Sequence, residues 1–233
     1  THALFLEGSS GNVGIGTASP AAELHVSAAT TTQIRCESTT NSSTSTFQLA
    51  TNGSDWNLSA GGSAQGTYPN GFYIYDAGAD ATRMIIDAAG HITAPHQSAF
   101  SAKLANSINN IAVGQNHSIN FDSEIFDQNA DYSGGNFTAP VTGKYQFNVE
   151  IYFQSLDAAT DYYQLALVTH NRTYYHIISP EFSSDPAYFS LNLSILADMD
   201  ANDTAYVQMH VGNNGAAQAD IDQKSYFTGY LAC

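Results

Sequence analysis

The densest run of oxygen ligands in the sequence is ADMDAND, which crowds Asp198, Asp200, Asn202 and Asp203 into one short segment. Carboxylate and amide oxygens at alternating positions are what a hard cation such as calcium takes up. The run lacks the central glycine and the distal glutamate of an EF-hand, and an acidic β-turn accounts for the same residues. Calcium at these four positions is therefore the one cofactor the sequence admits, and none is required. Asp122, Asp127 and Asp131 form a second, sparser acidic group. Eight histidines are scattered as His2, His25, His91, His96, His117, His170, His176 and His210. None stands in an HExxH motif or at zinc spacing from Cys36 or Cys233. His91 and His96 flank Pro95, and a threefold axis through them would bring three copies together around a metal or anion.

Catalysis finds no constellation. There is no Gly-x-Ser-x-Gly elbow, and Asp220 and Asp222 sit on turn-like sequence. No nucleophile, base and orienting group are assembled by any motif, so the chain is expected not to be an enzyme. Gly11, Gly14 and Gly16 superficially resemble a phosphate-cradling loop, but that device needs a helix immediately after it. Here Pro20 and a strand-like ELHV follow. The glycines read instead as points of close backbone approach, at an axis shared by three chains.

Charge narrows the partners. Among 233 residues there are 6 Lys+Arg against 21 Asp+Glu, a formal net charge of −15. Nucleic acid needs clustered cations, and an anionic membrane surface would repel this chain, so neither is a partner. No window approaches the roughly 18 apolar residues of a membrane span, and membrane insertion is not expected. The opening THALFLEGSSG has no basic start and no hydrophobic run, so the sequence is expected to begin inside a longer protein. Two cysteines make no disulfide framework, and both are expected as free thiols.

The elements that must position these residues are strands throughout. Tyr145, Phe147, Val149, Ile151 and Phe153 alternate with Lys144, Gln146, Asn148, Glu150 and Tyr152, the period of a half-buried strand. In residues 96–233, strands are expected at 98–104, 118–121, 136–139, 144–153, 162–168, 173–178, 188–196, 204–211 and 226–232, separated by turn-formers. Regular short strands of this kind argue a sandwich or barrel. In residues 1–95, short strands are expected at 32–36, 46–51 and 56–60. Phe47, Leu49, Trp56, Leu58, Phe72, Ile74 and Met84 would be the inward set of a small β-unit. Alternatively, Trp56 with Tyr68, Tyr73 and Tyr75 would form a sugar-stacking face. A segment this polar cannot order itself alone, and two further copies would supply the missing burial. LFLEGSSGNV and RMIIDAAGHI echo one another: apolar strand, acid (Glu7, Asp87), small-residue turn, glycine (Gly11, Gly90).

Two sets of residues carry a family resemblance. Phe137, Gly143, Tyr145 and Phe147, within NFTAPVTGKYQF, are similar to the signature of the globular head of complement component 1q and its tumour-necrosis-factor-like relatives. The closing YFTGYL of Tyr226 to Leu231 and the Asn202-Asp203 turn fall in matching order, while Val149 stands where that pattern has an aromatic. In the other half, GNVGIGT (from Gly11) through LHV, and GFYIYDAGADATRMIIDAAGHI (from Gly71), resemble connectors in tail fibres and spikes of bacterial viruses.

These resemblances imply an all-β chain in two domains. Residues 1–95 would be a trimeric β-stalk and small knob, and 96–233 a two-sheet antiparallel jelly-roll head. They imply a viral fibre or spike at the virion surface, outside the cell. Its homotrimeric head would bind a host-surface glycan or protein receptor, with other virion proteins at the N-terminal side. The candidate contact loops are 155–161, 171–173, 181–187 and 212–222, with Tyr174, Tyr175, Asn213 and Asn214 as the named receptor-binding residues. A structural capsid or tail decoration fibre, whose head drives trimerisation, is the alternative. A secreted lectin is a third reading.

Overall fold

The structure, a computed structural model, describes residues 4–212 and 219–233. The chain divides into two compact units, Thr1–Thr93 and Ala94–Cys233. All regular structure among the described residues is β.

The first unit opens with a three-stranded sheet of β1 (Phe5–Leu6), β2 (Val13–Ile15) and β3 (Leu24–Val26), with β2 and β3 parallel. Its glycines answer to local geometry. Gly16 has a φ of 78°, and a Cβ there would lie 2.0 Å from the Ser27 carbonyl oxygen. Gly14 would meet the Thr17 carbonyl at 2.4 Å. The close approach expected at a shared axis is thus already made within one chain. The two echoing segments fold alike: Gly11 donates to the Glu7 carbonyl at 2.8 Å and Gly90 to that of Asp87 at 3.0 Å, both glycines at positive φ.

No strand forms at 32–36, where one was expected; residues 27–43 run without one. Ile34 lies exposed there, and β-propensity makes no strand without a pairing neighbour. The remainder is a five-stranded antiparallel meander of β4 (Thr44–Thr51), β5 (Ser54–Gly61), β6 (Phe72–Asp76), β7 (Ala81–Ile86) and β8 (Ile92–Thr93). Register sorts its faces. Phe47, Leu58, Ile74 and Met84 lie opposite one another in one row, with Leu49 and Trp56 in the next. Thr46, Ser59 and Tyr73 occupy the reverse face. The expected inward set does share a face, but that face is open: Phe47 is 51% and Leu49 52% exposed. Trp56 does not join Tyr73 in one stacking surface, because period two sends them to opposite sides.

The second unit is a sandwich. Seven strands make one sheet, in the order β10 (Ile108–Ile111), β20 (Ala219–Ile221), β15 (Gly143–Ser155), β21 (Tyr226–Leu231), β9 (Ala99–Lys103) and β12 (Ser123–Asp127), with β18 (Phe189–Met199) on β15. Six make the other: β13 (Tyr132–Ser133), β14 (Asn136–Thr138), β19 (Thr204–Val211), β16 (Tyr163–Thr169) and β17 (Thr173–Ile178), with β11 (Asn116–Ile119) on β19. Every pairing in both sheets is antiparallel, and the fold is a jelly roll.

The alternating residues of β15 fill its middle. Tyr145, Phe147, Ile151 and Phe153 are wholly buried and Val149 nearly so. Phe100 stacks on Tyr132 at 4.5 Å and on Phe137 at 5.2 Å, and meets Phe227 edge-on at 4.9 Å. Such ring pairs contribute about 0.5–1.5 kcal/mol each beyond area burial. Gly229 makes room for them: a Cβ there would sit 2.6 Å from the Phe147 ring and 2.7 Å from that of Phe100.

Candidate functional site

Strand register places the loops of the second unit at two ends. The chain enters where Ser98 accepts from the Leu231 amide at 3.0 Å, beside the Cys233 carbonyl bound to the Lys144 amide at 2.7 Å. Gly143 pairs with Met199, so the 198–203 loop belongs to this same end. At the opposite end β15 stops and β18 starts, with Phe153 against Phe189, and Tyr163 lies between Ile178 and Val211. Three of the four expected contact loops, 155–161, 181–187 and the start of 212–222, therefore share the far end. The fourth, 171–173, lies at the near one.

The far-end loops are tied together. The Ala158 amide donates to the Asp185 carboxylate at 2.9 Å, bridging two of them, and Gly212 donates to the Tyr162 carbonyl at 2.8 Å. The Tyr163 hydroxyl accepts from the Asp157 amide at 2.9 Å, and burial pushes that phenol's pKa up. Asn213 and Asn214 lie outside the described residues. Tyr174 and Tyr175 are placed in β17, with side chains on opposite faces. Tyr174 packs against the core, and desolvation raises its pKa; Tyr175, 56% exposed, presents its ring to solvent. Of this pair only Tyr175 is presented for contact.

The acidic loop behaves as a turn. Asp203 donates its amide to the Asp200 carbonyl at 3.0 Å and accepts the Asp200 amide on its carboxylate at 2.9 Å. Asn202 takes the left-handed conformation, φ 73°, and Asp198 is paired with Arg172 at 2.7 Å. Asp198 and Asp203 thus turn their carboxylates on the chain itself, while Asp200 and Asn202 lie exposed. No trio of His, Cys, Asp or Glu among the described residues is arranged to hold a metal. The second acidic group is used likewise: Asp122 accepts from the Ala105 amide, and Asp127 from those of Asp131 and Tyr132. Asp220 accepts from the Asn110 amide at 2.7 Å and Asp222 from that of Lys224 at 2.8 Å.

Several of the histidines are engaged within the chain. His91 pairs with Asp87 at 2.8 Å within its own turn, and that contact lowers the Asp87 pKa. His117 Nε2 donates to the Ala112 carbonyl at 2.9 Å. His176 Nδ1 donates to the Asn192 carbonyl at 2.6 Å, and His210 Nδ1 to the Asn116 amide oxygen at 2.8 Å. Cys36 and Cys233 are free and exposed.

A broader surface, not named from the sequence, is the outward face of the seven-stranded sheet. Tyr226 lies opposite Glu150 and Tyr230 opposite Gln146, with Leu196 on the further side of Gln146. At its centre Gln146 Nε2 donates to Ser194 Oγ at 3.0 Å, and Ser194 donates to Asn148 Oδ1 at 2.8 Å. The Tyr226 hydroxyl bonds Glu150, which raises the phenol's pKa. Exposed aromatic rings are enriched in protein interfaces, and these suit one. The signal for it was in the sequence, as aromatics at the alternate positions of YFTGYL, but only pairing put them beside β15.

Among solved structures, the globular domain of zebrafish complement 1qA is 18% identical at a TM-score of 0.45, covering 59% of this chain and 98% of its own. Murine APRIL at pH 8.5 is 12% identical at 0.42, covering 58% and 98%. The Eiger TNF of S. frugiperda is 14% identical at 0.40, covering 58% and 91%. No curated protein matches the chain by sequence. The model of the C1q domain matches residues 99–232, more than half of the chain and nearly all of the second unit, and the protein belongs to the C1q domain family.

Proposed function

We propose that this chain is the distal part of a bacterial-virus fibre or spike, a homotrimer whose C1q-like heads attach the virion to a host-surface glycan or protein. The observation that carries the proposal is that a single copy is unfinished. One sheet face in the first unit leaves Phe47, Leu49, Trp56 and Phe72 in water. The sheet face of the head leaves Tyr226, Tyr230 and Leu196 uncovered. A contiguous apolar face on an otherwise polar chain, as in the first unit, marks a surface meant to be covered. C1q/TNF-like domains commonly form homotrimers, which supports three copies as the cover.

Attachment follows from geometry once three heads are held together. Each presents the same far-end loops, braced by the Ala158–Asp185 bond, so weak single-site contacts add through effective concentration. The viral reading is supported by the two connector-like segments, whose hairpins fold alike in the first unit. The N-terminal side would join other virion proteins, and the virion surface would be its location.

Light scattering on the full chain tests the assembly, with three chain masses expected; a stable monomer overturns the proposal. Binding of the purified trimer to host cells, and its competition with infection, tests attachment. A trimer that assembles but neither binds nor competes is a structural decoration fibre instead.

A further inference from the structure

The reverse face of the five-stranded meander carries a cavity that assembly through the apolar face would leave open. Its volume is about 290 Å³, and its floor is a patch of hydroxyls and amides from four strands. Thr46 Oγ1 lies 3.1 Å from Ser59 Oγ, and Thr44 Oγ1 3.2 Å from the Tyr73 hydroxyl. Tyr68 and Tyr73 form an aromatic corner, their centroids 5.0 Å apart and their planes at 49°. None of the lining side chains carries a formal charge.

The wall is constructed rather than incidental. Residues 62–71 fold back at the C-terminal end of β5 through Gly61 N–H to the Gly71 carbonyl at 2.9 Å and Gly62 N–H to the Ser43 carbonyl at 2.9 Å. Gln65 Oε1 accepts the amides of Thr67 and Tyr68, which fixes the Tyr68 ring and leaves the Gln65 Nε2 donors without a partner among the described residues. Asn57 Oδ1, in the same lining, is shielded from water and has no hydrogen-bond partner among the described residues. An acceptor left in that condition is unfavourable, and a turn of the Asn57 amide toward the cavity would let a ligand donor satisfy it.

These groups select a chemistry. Hydroxyls that both donate and accept, an amide with free donors and a ring corner match a sugar: its hydroxyls bond the floor and its C–H face lies on a tyrosine. Absence of charged lining excludes ion-pair recognition. At the rim the Tyr75 hydroxyl is bonded to Asp80, a carboxylate that disfavours anions. The volume lies near the lower end of ligand pockets, enough for one or two rings. We infer that this cavity binds a neutral mono- or disaccharide, as a site of the first unit independent of the head.

Saturation-transfer NMR on the full chain tests this, using glucose, galactose, mannose, N-acetylglucosamine, lactose and maltose, with sialic acid as the anionic control. At least one neutral sugar is expected to bind saturably, with a Kd on the order of millimolar. Thr82→Val, which removes a lining hydroxyl at nearly constant shape, and Gln65→Ala are each expected to weaken it by about tenfold. Tyr175→Ala in the head is expected to leave it unchanged. Circular dichroism of each variant reports folding. The inference is overturned if no neutral sugar binds the folded chain, if sialic acid alone binds, or if both first-unit variants bind as wild type while folded. Because Tyr175→Ala addresses the head alone, failure here is distinguishable from failure of host attachment.

Discussion

The two units are built from the same material and differ in what a single copy can hide. In the second, β9, β14, β15 and β21 bring Phe100, Phe137, Phe147 and Phe227 into one sealed centre. In the first, Tyr73 is the only large apolar side chain that is buried among the described residues, and the apolar row of the meander faces out. A sandwich covers each sheet with the other; a lone meander has one sheet and nothing to lay against it. One chain thus carries a self-sufficient fold and a dependent one.

Separation is the strongest way to break this contrast. Residues 94–233 alone are expected to unfold in one cooperative transition, and residues 1–93 alone to show none while monomeric, by circular dichroism with light scattering. A cooperative monomeric transition in the short piece would mean that its apolar face needs no cover.

Substitution sharpens the same point. Phe147→Ala in the sealed core is expected to cost about 3–5 kcal/mol of head stability in urea unfolding. Phe47→Ser, on the open face, is expected to weaken association while leaving the head transition in place. Next in size is Gly229→Ala, where the new methyl presses on two rings; a loss of about 1–3 kcal/mol is expected from overpacking.

Acid and alkali should also act on different groups in the two units. Burial raises the pKa of Tyr132 and Tyr145 in the head, so their stabilisation is full below the unfolded value near 10 and declines as pH rises toward the folded one. In the first unit, the hydrogen bond from Arg83 lowers the Asp76 pKa. Its contribution is present above the unfolded value of 3.8 and is lost as pH falls through the folded value. Alkaline titration followed by near-ultraviolet dichroism should therefore loosen the head, and acid the first unit. The smallest effect is expected at the exposed Arg172–Asp198 pair, where Arg172→Ala should change head stability by no more than about 1 kcal/mol. Calcium should leave the head's Tm unchanged.

Much of the head was legible because its physics is local. Alternation from Tyr145 to Phe153 fixes a two-faced strand, and the strands expected at 173–178 and 204–211 coincide with β17 and β19. The short strands β10, β12, β13 and β20 were not legible. In β10 the run INNI centres on two asparagines of low strand propensity, and Ile108 and Ile111 pair only because β20 is there to receive them.

The candidate site was less readable. Tyr174 and Tyr175 are adjacent in sequence and on opposite faces in space, and the expected contact loops separate to two ends only once the strands are paired. Side-chain type, strand period and turn residues are written residue by residue, so the all-β class and the aromatic inner row needed nothing beyond the chain. That Asp122 meets the Ala105 amide and Asp220 that of Asn110, and which apolar face stays bare, depend on partners far away in sequence. That choice is made only when the sheets close.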